Sequence, residues 1–419
     1  MEPRLELRRE PGPDLDAVGE DSRLVERIRG EIRASGPMPF VRFMDLALYD
    51  PDGGYYRGSD ARPGRTGDFL TAPELHPIFG ATLATGLHEI WERLGRPNPF
   101  VVREHGAGTG AMALAILGGI TDEAFRTAVR YEPVEVDARR LVAFREALSA
   151  AGLDHHLSEP SHPGDPDAPD DRPFDGVVLA NEVLDALPVH RVRQRGPSLR
   201  ELAVDLDTAG SFVEIEIEPT MPDLAARLAG EGIDLVDGQT AEICLELDAW
   251  LAAATAPLRR GLILLIDYGA PAAALYDPVR RRDGTLRAYL RHRVHDDPYV
   301  HVGRQDLTAH VDVTAVERAA HAAGLTTIGT TTQAEALMGL DLESRLRAIQ
   351  ADPATTLADY TLVRAALKRL LDPAMMGRFQ VMAFGRDSAD VMDDPALALF
   401  TFRLRGRARS STVSLGGST

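Results

Sequence analysis

Val101-Val-Arg-Glu-His-Gly-Ala-Gly-Thr-Gly110 runs from an apolar strand pattern into a glycine-rich turn, and Ala111 to Leu117 continue it as an Ala/Leu-rich helix. Glycines at such a turn let the backbone approach a ligand closely, and the helix that follows offers free N–H groups. Working outward, the same texture recurs. Phe100 to Arg103, Ala128 to Tyr131, Gly176 to Ala180, Leu262 to Ile266 and Phe379 to Phe384 are short apolar runs separated by long amphipathic stretches. Runs of this length between helical patterns predict a largely parallel sheet covered on both faces, an α/β Rossmann-like architecture.

The loop by itself leaves three readings open. Gly106, Gly108 and Ala111 fit the G-x-G-x-x-A form of a dinucleotide site, the turn could be merely structural, or Ala107 and Gly110 together with those glycines could cradle S-adenosyl-L-methionine. Glu104, two residues before the first glycine, favours the last, because an acid there suits the ammonium of a methionine moiety and would repel a pyrophosphate. Glu132 ends the next strand and is expected to accept hydrogen bonds from ribose hydroxyls. Directly after the run Gly176 to Ala180 comes Asn181-Glu-Val-Leu-Asp-Ala-Leu-Pro188. Ligands of open α/β sheets bind outside the carboxyl ends of the strands, so Asn181 and Glu182 should face the cofactor, with Asp185 on the same side if the segment is helical. The plainer alternative is a helix start in which Asn181 caps and Glu182 complements the dipole.

Composition removes other classes. The 419 residues carry a formal charge of −18, which disfavours nucleic acid. A single cysteine, Cys244, allows neither an internal disulfide nor a Cys-rich zinc site, and no His/Asp/Glu spacing compels a metal. The one lysine, Lys368, follows no glycine-rich loop, which eliminates a P-loop. No apolar run approaches the roughly 20 residues of a membrane span. The acidic N-terminus (Glu2, Glu6, Glu10, Asp14, Asp16) lacks the apolar core of a signal and the acid-poor character of a transit peptide, so a cytoplasmic protein is expected.

Along the chain, residues 1–21 read as an extension and 22–96 as a helical N-terminal cap that contributes to the cofactor cleft. Residues 97–386 form the core and 387–419 a tail. Within the core, Glu159 to Pro173 is a Pro-rich solvated loop, and the period-two stretches of 189–218 predict a β-hairpin insertion. His292 and His295, in the basic stretch Arg287 to His295, read as facing solvent.

Eight blocks in order resemble the MidA-like family of S-adenosyl-L-methionine-dependent methyltransferases, a family that includes a protein arginine methyltransferase. They are Tyr49 to Tyr56, Gly67 to Glu74, the Gly106 to Gly110 loop, Asn181 to Pro188, Ile266 to Gly269, Gly284 to Tyr289, Gln305 to Asp312 and Met376 to Phe379. The resemblance implies a seven-stranded methyltransferase core with extra helical elements. It assigns Gly67, Asp68, Phe69 and the stretch Thr71 to Glu74, including Pro73, to the cofactor cleft. The chain departs from the family after Glu132, reading Pro133-Val134-Glu135 where relatives carry a small polar residue. The implied acceptor is an arginine of a partner protein, with Glu182 and Asp185 taking the proton. An O- or N-methyltransferase acting on a small molecule, for which His310 is the candidate base, and a non-catalytic assembly factor are the alternatives. A homodimer is left open.

Overall fold

The structure, a computed structural model, describes residues 18–57, 71–158, 171–291, 293–392 and 395–403. At its centre lies a six-stranded sheet made of β1 (Phe100–His105), β2 (Val129–Val134), β3 (Phe174–Asn181), β4 (Leu258–Asp267), β5 (Thr326–Thr332) and β6 (Gln380–Arg386). Its spatial order is β5-β6-β4-β3-β1-β2. The β2/β1/β3/β4 pairings are parallel, whereas β6 runs antiparallel to both β4 and β5. All five apolar runs of the sequence map to strands of this sheet, two of them starting one residue early at Ala128 and Phe379, so the α/β expectation holds. Against the expected seven strands, this sheet has six among the described residues, with one further parallel bridge, Tyr131 to Leu157, at the β2 edge.

Side-chain alternation sends each strand's residues into two cores. Val102, Tyr131, Val177, Leu179, Leu262 and Leu264 pack under the helices Ile78–Arg93 and Ala111–Gly119. Val101, Val178, Ala180, Ile263 and Leu265 pack under Leu247–Thr255 and Val313–Ala322. Fully burying a side chain of this size contributes about 1.5–3 kcal/mol, which is why strands covered on both faces read as unbroken apolar runs.

Two boundaries need revision. The stretch 22–96 is not one cap. Helices Ser22–Ser35 and Phe40–Tyr49, with Tyr55, build a third core against Val189, Val204, Leu286, Ala288, Val302, Leu307 and Ala309, whereas Ile78–Arg93 belongs to the central core. The insertion is also larger than a hairpin. His190–Arg195, Ser198–Leu206 and Phe212–Ile217 form a meander; Thr240–Ile243 pairs with its first strand, and Met38–Pro39 pairs with its middle strand opposite Phe212–Ile217, which makes a five-stranded antiparallel sheet. A smaller sheet pairs Arg287–Leu290 with Arg293–His295 and Asp306–Thr308. Among the described residues no helix is long and apolar enough to cross a membrane.

Candidate active site

A cleft of about 730 Å³ opens beyond the carboxyl ends of β1 and β3, between the central sheet and the third core. The volume is in the range that holds a cofactor-sized ligand. Its floor is the glycine loop. Gly106, Gly108 and Gly110 all adopt positive φ, a conformation glycine takes without steric cost. The two ends of the loop differ in what they touch. A Cβ on Gly106 would meet Val183 Cγ2 at 2.7 Å, while a Cβ on Gly108 would meet nothing and project into the cleft. Ala107 also lines the cleft; Gly110 instead caps the Ala111–Gly119 helix with φ 91°.

Glu104 lines the cleft and is almost fully buried. It accepts the Tyr131 hydroxyl at 2.7 Å, and burial pushes its carboxyl up to about 8. An ammonium brought beside it would restore the ionised form. Glu132 does not reach the cleft. In the parallel register Glu104 stands opposite Pro133, so Glu132 points to the other face, where it pairs with Arg103 through two bonds of 2.9 and 2.7 Å. The acid in the expected place is Glu135. It lines the cleft and accepts Gly108 N–H at 2.9 Å and Val136 N–H at 2.8 Å, which ties this carboxylate to the glycine loop. The parity of the strand contained this answer, since residue 133, not 132, shares the face of Glu104.

The chain leaves β3 through Asn181 and enters Glu182 with φ 54°, a left-handed conformation uncommon for a residue with a side chain. No α-helix follows, so neither capping nor helical spacing brings Glu182 and Asp185 together. A single 3₁₀ turn, Leu184–Ala186, does, and both line the cleft with Asn181. Asp267 at the end of β4 holds that turn. Its Oδ2 accepts the N–H groups of Val183, Leu184 and Asp185 at 3.1, 2.9 and 3.3 Å, and its Oδ1 accepts Tyr268 N–H at 2.8 Å. Glu182 Oε1 accepts Ala72 N–H at 3.2 Å and Asn181 Nδ2 at 3.1 Å. Glu182 Oε2, Asp185 Oδ1 and Asn181 Oδ1 are buried with no partner in the protein. Burial first, then the facing Asp185 carboxylate, pushes Glu182 up to about 8. Burial likewise pushes Asp185 to about 6, against a drawing-down by the Tyr268 hydroxyl.

Thr71, Pro73 and Glu74 line the cleft, as the family resemblance implies, although Glu74 also closes a capping box on Thr71 with bonds of 3.1 and 3.0 Å. Gly67, Asp68 and Phe69 lie outside the described residues, as do His292 and residues 159–170 of the Pro-rich loop.

His310 is elsewhere. Its ring packs edge-on to Tyr268 at 5.3 Å on the side away from the cleft and borders a separate cavity of about 30 Å³. Burial and the nearby Arg281, Arg378 and Arg287 lower its imidazole to about 4. It is not placed to act as a base in the cleft. Cys244 is partly buried at the same small cavity, its thiol pushed up to about 12 by burial.

Several cleft residues escaped the sequence reading. Tyr49 and Tyr56 stack at 5.5 Å. The Tyr49 hydroxyl donates to Ala186 O at 3.0 Å and that of Tyr56 to Asp306 Oδ1 at 2.8 Å. Tyr268, Tyr289, Asp306 and Thr308 complete this wall, and His105 and Trp250 close the opposite end with their rings 5.5 Å apart. Most of these sit inside blocks already singled out, but nothing in their spacing marks them as one surface. Among the described residues no group of three His, Cys, Asp or Glu side chains could hold a metal.

Comparison with known proteins bears on this geometry. Residues 82–331 match the family described as "Putative S-adenosyl-L-methionine-dependent methyltransferase". A Burkholderia thailandensis protein, crystallised with S-adenosyl-homocysteine, is 35% identical. The alignment covers 94% of this chain and 98% of that one, with a TM-score of 0.82. The Drosophila melanogaster protein named "Protein arginine methyltransferase NDUFAF7 homolog, mitochondrial" is 28% identical over 91% of this chain and 89% of its own. The Homo sapiens protein arginine methyltransferase NDUFAF7 is 26% identical over 78% of this chain and 75% of its own. The expectation of a cytoplasmic protein is overturned by these relatives, whose names place them in mitochondria. With more than half of its length matched, and its glycine loop, cleft and central sheet inside or beside the matched segment, the chain belongs to this family of S-adenosyl-L-methionine-dependent methyltransferases.

Proposed function

We propose that the chain transfers a methyl group from S-adenosyl-L-methionine to an arginine side chain of a partner protein. The observation that carries this reading is the pair of buried carboxylates, Glu182 and Asp185, each with an oxygen that has no protein partner, set against an aromatic wall in the cleft. The protein arginine methyltransferases among the relatives support the same acceptor.

The residues present fit the donor. Gly106 and Gly108 leave room along the loop, Glu135 is aimed for ribose hydroxyls, and Glu104 is aimed for an ammonium. When bound, the donor supplies an electrophilic methyl on a sulfonium with a good thioether leaving group. Everything else is alignment and charge.

A guanidinium, with its pKa above 12, is a poor nucleophile until its proton has somewhere to go. As the nitrogen–carbon bond forms and the sulfur–carbon bond breaks, one N–H proton must leave, and a carboxylate of Glu182 or Asp185 takes it. The raised pKa values of these acids reverse when a cation enters, because an opposite charge at contact distance favours the ionised acids. The Tyr56 ring already has the Arg140 guanidinium over it at 5.7 Å, and the neighbouring aromatic wall suits a second planar guanidinium. Asp267 touches neither substrate; it is a positioning residue that fixes the turn carrying Asp185.

The test is incubation of the protein with methyl-labelled donor and mitochondrial or bacterial lysate, then amino-acid analysis of the labelled product. Methylarginine in protein sustains the reading. Label confined to a small metabolite overturns it.

A further inference from the structure

We infer that Arg281, Arg287 and Arg378 form a recognition site for an acidic residue that flanks the target arginine in the acceptor protein. This rests on the reading of the acceptor as a protein arginine.

The strand Arg287–Leu290 alternates half-buried and buried residues, so Arg287 and Tyr289 share one face while Ala288 and Leu290 face inward. Tyr289 lines the cleft, and its strand partner Asp306 lines it too. On the neighbouring register Arg287 stands opposite Thr308, also a cleft residue. Two further arginines approach this end of the sheet from separate segments. Arg281 opens the turn that leads to Thr285, whose hydroxyl accepts His310 N–H at 3.1 Å. Arg378 precedes Phe379, whose ring lies 5.4 Å from that of Tyr268, which in turn contacts His310. His310 and Tyr289 both sense the guanidinium charges of Arg287 and Arg378.

Tyr289 therefore stands on a boundary. Asp185 and Asp306 act on it with negative charge, and Arg287 and Arg378 with positive charge. The three guanidiniums repel one another, and that repulsion adds to burial in lowering Arg281. Their compensation is slight. The carboxylate facing Arg281 is Glu242, already engaged by Thr285 at 2.7 Å and lying 3.5 Å from Arg191. Among the described residues the ion pair at the patch itself is Arg287 to Asp296 at 3.5 Å, and Asp296 is 85% exposed. In a chain of charge −18, gathering like charges beside a cleft is unfavourable without an anion to face them. A peptide that lays its arginine among Glu182, Asp185 and the tyrosines can place an acidic neighbour here, so that its two charges each meet an opposite one.

The experiment uses the full chain saturated with S-adenosyl-homocysteine and fluorescent short peptides bearing one central arginine, flanked by aspartate or by asparagine. Anisotropy reads binding, and methyl transfer with the unlabelled donor reads turnover. Ion pairs to two half-exposed arginines and one exposed one predict that the aspartate peptides bind about tenfold more tightly at low salt. Arg378→Gln, at an exposed position, and Arg281→Gln should each shrink this preference to about two- or threefold and raise KM without changing kcat. Equal binding of the two peptide sets, or a preference that survives both substitutions, overturns the inference. So does competition by single-stranded DNA or anionic vesicles as strong as by the aspartate peptides, which would mark a general polyanion surface. Failure of the acceptor reading looks different: the aspartate preference would persist with the central arginine replaced by norleucine, and no peptide would be methylated.

Discussion

Replacing Glu135 by glutamine separates the two acids at the β2 end. In the structure Glu135 uses both oxygens, one on Gly108 N–H at 2.9 Å and one on Val136 N–H at 2.8 Å, and faces the cleft. A glutamine keeps one acceptor and presents an amide N–H to the other donor. It also loses the charge that strengthens hydrogen bonds from ribose hydroxyls. A bond to a charged acceptor contributes about 1.5–3 kcal/mol and an unpaired part-buried donor costs at least about 1 kcal/mol; partial solvent exposure reduces the sum to about 2–3 kcal/mol. At about 1.4 kcal/mol per decade, Glu135→Gln should bind S-adenosyl-homocysteine about 30- to 100-fold more weakly. Glu132→Gln is the contrasting variant. It breaks the nearly buried pair with Arg103, whose side chains are 5% and 13% exposed, so it should lower the thermal midpoint. Its affinity for the cofactor should stay within a few-fold of the parent. Calorimetric titration on both proteins, with thermal unfolding alongside, decides the matter. A folded Glu132→Gln protein that has lost the cofactor, beside a Glu135→Gln protein that binds normally, would refute the assignment.

Gly108→Val projects a side chain into the cleft at φ 55° and should abolish cofactor binding while the protein still folds, checked by titration and circular dichroism. Glu182→Gln should cut kcat by at least about tenfold and leave cofactor affinity within a few-fold, because the lost interaction belongs to the acceptor step; an equal loss of donor binding would place Glu182 in the cofactor pocket instead. With Glu182 at about 8 and Asp185 at about 6, kcat/KM should rise as pH climbs from 6 to 8, since a base is lost as pH falls through its pKa; a pH profile of kcat/KM that is flat across this window would count against both. The unliganded protein should behave oppositely in stability. Glu104 and Glu182 are held protonated up to about 8 although their ordinary value is 4.5, so folded protein binds more protons than unfolded across that interval and the thermal midpoint should fall as pH rises through it, with cofactor reducing the fall.

How much of this was legible follows from where the signal resides. The five apolar runs are readable because a strand buried on both faces must be apolar at every position. Strand β5, Thr326–Thr332, has no such run. It is a threonine-rich sheet edge, exposed or half-buried over its first five residues, which reads as a loop until its pairing with β6 is seen. The acids at the carboxyl ends of strands could be identified as a class, but choosing Glu135 over Glu132 required the register of β1 against β2. Asp267 obeys the same rule as Glu104, an acid closing an apolar run, yet its work is done on backbone N–H groups 82 to 84 residues away. The wall of Tyr49, Tyr56, Tyr268 and Tyr289 depends on long-range folding that no local pattern encodes. His310 shows the converse error: a histidine in a conspicuous block whose ring packs on the far side of Tyr268.

The two sides of the cleft rest on different hydrophobic cores. Glu104, the glycine loop, Glu135 and Asn181 are carried by the central sheet, whereas Tyr49, Tyr56, Tyr289 and Asp306 are carried by or border the third core of Ser22–Ser35, Phe40–Tyr49 and the small sheet. Packing constraints are strongest within a core and weak between separate ones. Substitutions that reshape the acceptor wall can therefore accumulate with little disturbance to the donor's seat. A scaffold divided in this way can change what it methylates while keeping how it methylates, and chimaeras joined at the boundary between the cores offer a direct route to altered acceptor choice.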